Sequence, residues 1–286
     1  MTPLRDAVLT DAVRLKTRHP DIFSRPAQQR VLAGAVVAGA LALAIYSVFR
    51  LEISFERFGA GVGQMIHIVG MMFPPTPGMR LPLYLHALGE TVAIAMLGTL
   101  TAALFAFPIG FLAAKTVVPN FFAHFAVRRA LDTIRGVDTL IWALIFINVV
   151  GLGPFAGVLA IAVSDFGAFG KLFSEAIEST SKQPVEGVVS TGGSKLHAIR
   201  FALVPQVFPV IASQVLYYFE SNTRSATIIG IVGAGGIGMH LSEQIRVLEW
   251  GHVSFLVLMI LVAVAAIDWI SGRLRFAIIG RSPVGI

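Results

Sequence analysis

The sequence contains no cysteine and few charged residues. Its 286 residues include 22 Lys and Arg and 16 Asp and Glu, so only 13% of the chain is charged. The absence of cysteine excludes disulfides, thiolate nucleophiles and cysteine metal sites. A soluble domain usually has about 25% charged residues, and half that density leaves too little polar surface to face water. With 56% hydrophobic residues and a mean hydropathy of +0.79, the composition predicts a membrane protein.

Catalytic and cofactor motifs are also missing. Asp165 stands where the first glycine of a nucleotide-binding P-loop is required, and Leu172 stands at its final Ser or Thr position. Residues 233–238 match the dinucleotide pattern G-x-G-x-x-G, but no strand–helix–strand alternation surrounds them, and position 258 is Leu rather than an acidic residue. The seven His residues have no ligand spacing. The sequence therefore predicts no ATP hydrolysis by this chain, no cofactor and no metal site.

Six apolar stretches are candidate membrane spans. A helix needs about 20 apolar residues to cross the hydrocarbon core, and the candidates are residues 31–50, 84–114, 136–151, 154–173, 201–220 and 252–272. Two further apolar stretches are Gly-rich: 58–73 is interpreted as a segment along the membrane surface, and 226–241 is too short to span. The first span begins after about thirty polar residues and is interpreted as a retained anchor. The sequence thus predicts an all-α membrane protein with about six transmembrane helices.

Lys and Arg are distributed unevenly between the two sides of these spans. Residues 1–30, 115–135, 171–200 and 273–286 contain 17 of the 22. The other side has Arg50, Arg57, Arg80, Arg224 and Arg246. Because basic residues concentrate in cytoplasmic loops, both termini and the 171–200 loop are predicted to be cytoplasmic.

Small residues recur at every fourth position of the second span. Gly98, Ala102, Ala106, Gly110 and Ala114 all fall on one helical face. In lipid, small residues let helix backbones approach closely and pack. We therefore expect this face to contact another helix.

The 171–200 loop has the signals of a compact helical hairpin. Pro184 suits the first turn of a helix, and Glu186 lies beside the positive end of its dipole. Gly192-Gly193 is expected to end this helix, and Ser194 to cap a second one that carries Lys195 and leads into the fifth span. Such a projection can place a short helix in a groove on a partner protein.

The spacing within this hairpin resembles that of a known family. Gly192 follows Glu186 by six positions and Pro205 follows it by nineteen, which is similar to the EAA loop of bacterial ABC importer permeases. In that family the loop docks into the ATP-hydrolysing subunit, so the resemblance implies a coupling role for these residues and for Gly193 and Lys195. Gly187 and Val188 replace the two alanines of the motif, and both lower helix propensity.

Other segments resemble the phosphonate-type branch of these permeases. They are ETV at 90–92, GT at 98–99, WALIF at 142–146, GLGPFAG at 151–157, GKLFSEAIE at 170–178, VPQVFP at 204–209 and RSATIIGIVGAGGIG at 224–238. The resemblance implies the type I ABC importer permease fold in the bacterial inner membrane. It also implies two ATP-binding cassette ATPase subunits, a second permease copy or homologue, and an extracytoplasmic binding protein. The implied cargo is phosphonate or a related oxyanion such as phosphate or phosphite, and no nucleic acid is involved.

On this interpretation the chain divides into four parts. A basic cytoplasmic extension covers residues 1–30, and a first transmembrane helix with an extracytoplasmic segment covers 31–83. The permease core covers 84–272, with the coupling loop at about 174–205, and a cytoplasmic tail covers 273–286. Alternatives are a permease of the same fold for methionine or another amino acid, a secondary transporter or channel, and a membrane-embedded enzyme. The absence of a convincing internal repeat speaks against a secondary transporter.

Residues after the fifth span are candidates for the substrate pathway or its gate. The set is Arg224, Ser225, Thr227, Gly233, Gly235 and Gly236. Arg224 follows Glu220 by four residues, so the two can form an ion pair on one helical face. Its guanidinium also suits a tetrahedral oxyanion. Irregular backbone at membrane depth is tolerated only where protein buries it or where it lines a cavity, so residues 226–241 are interpreted either as a gate or as a packing hinge.

Overall fold

The computed structural model describes residues 27–51 and 55–280, which divide into two units with the boundary after His67. The first unit contains helix α1 (Ala27–Arg50) and most of α2 (Phe55–Met71). The residues of α1 from Val31 to Arg50 form a candidate span with no buried side chain. A helix that is apolar on all sides suits a lipid environment. This span coincides with the predicted 31–50, whereas most of the predicted 1–30 extension lies outside the described residues.

The second unit is a bundle of helices, and the described residues contain no strand. A single 3-10 turn (Gly78–Arg80) leads into α3 (Leu81–Ala113). There follow α4 (Phe121–Arg135), α5 (Thr139–Val150), α6 (Pro154–Glu178), α7 (Gln183–Ser190), α8 (Lys195–Ala198), a π-helical turn (Ile199–Leu203), α9 (Val204–Ile231), α10 (Gly236–Arg246) and α11 (Trp250–Ile279).

Within the described part of the chain, five helical segments are long and apolar enough to span a membrane. They are Val31–Arg50, Gly78–Ala113, Pro154–Glu178, Lys195–Ile231 and Trp250–Ile278. The predicted third span, 136–151, is not a span by itself, because α5 has 12 residues and extends only about 18 Å. It joins α4 at a bend of 82°, so a sixth crossing exists only if α4 and α5 count as one broken span.

The segment 115–135, which the charge count treats as a loop, contains helix α4 packed against α6. Two glycines of α6 allow this approach: a Cβ on Gly167 would lie 2.8 Å from the backbone nitrogen of Arg135, and one on Gly170 would lie 2.6 Å from Leu131 Cδ2. The sequence interpretation misses this helix because its charged residues resemble those of a loop.

The small-residue face of the second span packs against α6, as predicted. A Cβ on Gly98 would lie 2.7 Å from Ile161 Cβ, and one on Gly110 would lie 2.7 Å from Phe173 Cβ. Ala102 and Ala106, between them, are fully buried. Extra methyl groups in such a contact cost about 1–3 kcal/mol each, so this seam sets the spacing between α3 and α6.

The Gly-rich segment 226–241 is mostly regular, contrary to the prediction of an irregular stretch. Helix α9 continues to Ile231, α10 begins at Gly236, and only the four residues between them lie outside a helix. Backbone groups in an apolar setting must find partners within the protein, and helices supply them. The spans predicted as 154–173 and 201–220 also extend further than expected. Helix α6 ends at Glu178, and α9 ends at Ile231.

Candidate functional site

The exposed hairpin, residues 183–198, has the local geometry that its sequence predicts. Helix α7 begins at Gln183 with Pro184 in its first turn, and Glu186 is exposed. After α7, Gly192 has a φ of +85°, a conformation that favours glycine. The backbone nitrogen of Gly193 donates to Val188 O at 3.1 Å and closes the turn.

A capping box starts the second helix of the hairpin. The Ser194 hydroxyl accepts from the His197 backbone nitrogen at 3.4 Å, and the Ser194 nitrogen donates to His197 Nδ1 at 3.3 Å. Ser194 was predicted as the cap, but His197 was not, because Glu or Gln normally fills this position. Lys195 follows the cap in an exposed position, and Pro205 is exposed in the first turn of α9 beyond the π-helical turn.

A cavity of about 320 Å³ separates the exposed hairpin from the end of α6. Three charged residues, Glu178, Lys182 and Glu186, line it together with Thr116, Thr180, Ser181, Val185 and Leu203. The lining thus combines charged, hydroxyl-bearing and aliphatic side chains beside the hairpin. Among the described residues, no three His, Asp or Glu side chains are grouped so that they could hold a metal ion.

The buried turn, residues 230–238, contains the end of α9, the four residues that join it to α10 and the start of α10, and it brings three predicted gate residues together. The Gly153 backbone nitrogen donates to Gly233 O at 3.0 Å, so this turn is bonded to the turn between α5 and α6. A Cβ on Gly235 would lie 2.8 Å from Glu90 Oε1, and one on Gly236 would overlap the Thr91 side chain. The glycines are therefore required by close contact with α3 and with the start of α6.

Helices α9 and α10 touch backbone to backbone at the buried turn. A Cβ on Gly238 would overlap the Thr227 carbonyl oxygen, and one on Gly230 would lie 3.0 Å from Gly238 Cα. The Thr227 hydroxyl donates to Thr223 O at 3.2 Å and so stays on its own helix. Of the six predicted gate residues, Thr227 and the three glycines lie at this contact. Ser225, whose hydroxyl donates to Ser221 O at 3.4 Å, and Arg224 lie further back along α9.

Arg224 belongs to a charge network that the sequence predicts only in part. Its Nη2 contacts Glu220 Oε1 at 3.3 Å, which confirms the predicted ion pair. Arg275 contacts the other oxygen of the same carboxylate at 3.1 Å and also Asp268 at 3.8 Å. Sequence reasoning misses Arg275 because it lies 55 residues from Glu220, in the segment interpreted as a tail.

This network contradicts the predicted placement of Arg224 and Arg275 on opposite sides of the membrane. The prediction places Arg224 beyond the outer end of the fifth span and Arg275 on the opposite side, yet both contact one carboxylate. Helix α9 continues to Ile231, so Glu220 and Arg224 lie within it rather than at its end. The side chain of Arg224 is 50% exposed and that of Glu220 only 10%. A charge exposed in a spanning helix must meet water or another protein chain.

A buried polar cluster joins α3, α6 and α9 at the centre of the bundle. The Asn222 side-chain amide donates to the Asp165 carboxylate and to Thr99 Oγ1, the latter at 2.8 Å. The Thr99 hydroxyl donates in turn to Ala95 O at 2.7 Å. The sequence does not reveal this cluster, because nothing near Asn222 shows that it faces two other helices.

The arrangement of the helices is shared with known importers. The chain is similar to a chain in an inward-facing structure of a methionine ABC transporter, with a TM-score of 0.63 at 16% identity over 71% of this chain and 99% of that one. It is also similar to a chain of an amino acid ABC transporter crystallised with histidines, with a TM-score of 0.57 at 16% identity over 69% of this chain and 94% of that one. At this identity the likeness defines the fold alone, which is that of type I ABC importer permeases.

The sequence assigns the chain to a family within this class. The profile of the binding-protein-dependent transport system inner membrane components matches residues 106–279. The chain therefore belongs to that family and is a permease subunit of an ABC importer.

Relatives that match along most of this chain support the assignment. A permease named for a phosphite transport system in Stutzerimonas stutzeri is 41% identical over 87% of each chain. A second phosphite transport system permease of that bacterium is 33% identical over 90% of this chain and 98% of the relative. A phosphate-import permease of Mycolicibacterium smegmatis is 34% identical over 89% of this chain and 46% of its own length.

Proposed function

We propose that this chain carries phosphite, phosphate or a phosphonate across the bacterial inner membrane as the permease of an ATP-driven importer. The observation that carries this proposal is the similarity, along nearly the whole chain, to permeases named for phosphite transport. A relative named for phosphate import supports the same chemical class of cargo. All these anions present tetrahedral phosphorus oxygens to the pathway.

The chain has no P-loop, so ATP is hydrolysed by partner subunits. Two ATP-binding cassette ATPases dock on the permease pair, each against one exposed hairpin through Glu186 and its neighbours. The pair consists of two copies of this chain or of this chain and a homologue, and an extracytoplasmic binding protein delivers the cargo. When ATP closes the two ATPases, the hairpins move together and the pathway opens outward; hydrolysis resets it.

The termini and the exposed hairpin face the cytoplasm in this proposal. The basic residues support that orientation, because 17 of 22 Lys and Arg fall in the segments assigned to the cytoplasm.

Arg224 and Arg275 supply the anion-binding groups of the pathway. A guanidinium presents planar donors that match phosphorus oxygens, and half of the Arg224 side chain is exposed. Glu220 pairs with both arginines and so limits their affinity for an anion, which a conduit needs in order to release its cargo. Ser225 lies beside them, and Thr227, Gly233, Gly235 and Gly236 form the wall or gate further along α9 and α10.

Growth tests the cargo most directly. Cells that lack the gene are grown with phosphite, methylphosphonate or low phosphate as the sole phosphorus source, and uptake of labelled methionine is measured beside them. We expect growth to fail on at least one phosphorus source and to return with the intact gene. Normal growth on all three together with reduced methionine uptake would instead support the alternative, an amino-acid permease.

The docking role of the exposed hairpin is tested by Glu186→Ala. Glu186 is exposed and its loss leaves no buried group unpaired, so we expect a normally folded chain that no longer co-purifies with its ATPase or supports uptake. Gln183→Ala, at an exposed position of the same helix, serves as the control and should behave like the unmodified chain. Unchanged uptake and co-purification in Glu186→Ala would refute the assignment.

A further inference from the structure

One carboxylate fastens the end of α6 to two other helices. Glu178 Oε1 accepts a hydrogen bond from the backbone nitrogen of Lys115, just after α3, at 2.7 Å. Glu178 Oε2 accepts one from Arg128 Nη2, on α4, at 3.0 Å. Three helices that are distant in sequence therefore meet at this one side chain.

The contact between Glu178 and Arg128 is part of a wider bridge between α4 and α6. The two side chains are each 25% exposed, so water screens their attraction only in part. Arg128 also donates to Ser174 Oγ at 3.4 Å, one turn earlier on α6. Lys171 and Asp132 form a second ion pair between the same helices at 3.1 Å. Charge-assisted bonds of this kind are roughly twice as strong as neutral ones.

Glu178 also lies where the exposed hairpin connects to the bundle. It is the last residue of α6, and α7 begins at Gln183. Glu178, Lys182 and Glu186 line the same cavity of about 320 Å³. Since this cavity separates α7 from the end of α6, a displacement of α7 reaches α6 through the short connection 179–182.

The last turn of a helix is its weakest part, because its final carbonyl groups have no partner within the helix. If the end of α6 were free, a pull from the hairpin would unwind that turn and be absorbed locally. The two bonds of Glu178 oppose this, since unwinding would break its contacts with both Lys115 and Arg128.

We propose that Glu178 is the positioning residue through which movement of the exposed hairpin is passed to α3 and α4. The proposal rests on the function proposed above. When the ATPases displace α7, Glu178 makes the ends of α3, α4 and α6 move together, so that ATP-driven closure changes the packing of the bundle and not only the last turn of α6.

The test compares transport with ATP hydrolysis in the complete importer. Glu178→Ala removes both bonds, whereas Glu178→Gln keeps a neutral acceptor and loses the ion pair. Uptake is measured in cells with labelled phosphate, or with the phosphorus source on which the deletion strain fails. ATP hydrolysis is measured on the complex purified through a tag on this chain. Glu175→Ala, which removes an exposed carboxylate of the same turn, is the matched control.

We expect uncoupling. A hydrogen bond to a charged group contributes enough free energy that its loss changes an equilibrium constant about tenfold. Uptake should therefore fall about tenfold or more in Glu178→Ala and less in Glu178→Gln, while the complex assembles and its hydrolysis stays within about twofold of the unmodified complex. Arg128→Gln should resemble Glu178→Gln, and the double variant should be no worse than either single one, because both lose the same contact.

Two results would overturn the inference. A normal ratio of uptake to hydrolysis in Glu178→Ala would show that the hairpin acts through another route, while the Glu186 result would still stand. Failure of all Glu178 and Arg128 variants to assemble, or equal loss of uptake and hydrolysis, would give Glu178 a purely structural role. If the unmodified chain supports no uptake of any phosphorus compound, the proposed function fails instead.

Discussion

The exposed hairpin and the buried turn are both helix–turn–helix units with glycines at the turn, yet the surroundings of these glycines differ. A Cβ on Gly187 or Gly192 of the exposed hairpin would meet no atom within 4 Å. A Cβ on Gly235 would lie 3.0 Å from the Pro154 nitrogen, and one on Gly230 would lie 2.5 Å from Gly235 O. Both units use glycine for a positive φ, at Gly192 in the first and at Gly233, Gly235 and Gly236 in the second. In the hairpin, the backbone close to a glycine belongs to α7 itself, where a Cβ on Gly193 would lie 2.6 Å from Val188 O, whereas in the buried turn glycine lets different helices approach backbone to backbone.

This difference predicts how substitutions in the two units affect the stability of the chain. The exposed hairpin is held by its own turn and cap and leaves its polar residues open to a partner. The buried turn is held by contacts with α3 and with the start of α6, and it leaves little surface. We therefore expect substitutions in the exposed hairpin to impair coupling with small effects on stability, and those at the buried turn to prevent folding.

The largest expected effect is that of Gly238→Ala. Its methyl group would overlap the Thr227 carbonyl oxygen, which is backbone and cannot rotate away. Overpacking usually costs about 1–3 kcal/mol, and a clash with backbone on both helices should reach the top of that range or exceed it. The measurement is the yield and elution profile of the detergent-solubilised chain. Normal yield and elution would show that α9 and α10 can move apart. The buried turn would then tolerate substitution as the exposed hairpin does, contrary to our expectation.

The next largest effect is expected for Asn222→Leu. This variant compares the stabilisation by buried side-chain hydrogen bonds with that by backbone contacts at the buried turn. The change leaves the buried carboxylate of Asp165 without its amide donor. We expect a loss of about 2–3 kcal/mol, seen as a lower thermal unfolding midpoint of the solubilised protein. Thr99→Val, which removes only the weaker neutral bond, should cost less. Equal midpoints for the Asn222 variant and the unmodified chain would show that the cluster contributes little.

A smaller and local effect is expected for Ser194→Ala. Loss of an N-cap costs about 1 kcal/mol, and here it should loosen the exposed hairpin without changing the unfolding midpoint of the whole chain. Hydrogen exchange of residues 183–198 is the measurement, with residues 230–238 as the internal reference. Faster exchange at the buried turn as well would mean that the two units are not independent.

The smallest effect is expected for Gly187→Ala, the counterpart of the Gly238 variant. Nothing lies near the new methyl group, and alanine favours a helix over glycine by about 0.5–1 kcal/mol. Exchange within α7 should therefore slow slightly, and the chain should accumulate normally. The same substitution would then be slightly stabilising in one unit and disruptive in the other. Destabilisation by Gly187→Ala would contradict this.

The sequence predicts a region well when the contacts that shape that region join residues close together along the chain. Pro184, Ser194 and Gly192 act on their immediate neighbours, so the exposed hairpin is predicted residue by residue. The spacing of small residues in the second span is also a local pattern, and it correctly predicts a packed face. The class of fold follows from composition and from the number of apolar stretches.

Contacts between distant segments are not visible in the sequence. Arg275 meets Glu220, and Asn222 meets Asp165, only because α11, α6 and α9 are brought together by folding. The third span was misjudged because its apolar stretch of 12 helical residues is extended by α4, a helix whose charges resemble those of a loop. The regular helix through residues 226–231 was missed because glycine content alone does not reveal close backbone packing.

The π-helical turn Ile199–Leu203 stands between the exposed hairpin and α9. A π turn contains one residue more than an α turn, so it inserts one extra residue into an otherwise continuous helix. Tightening it to an α turn would rotate α9 by about 100° relative to α8 and shift it by about 1.5 Å. At the junction between the hairpin and the spanning helix, a small displacement of α9 along its axis is therefore coupled to a large rotation about that axis.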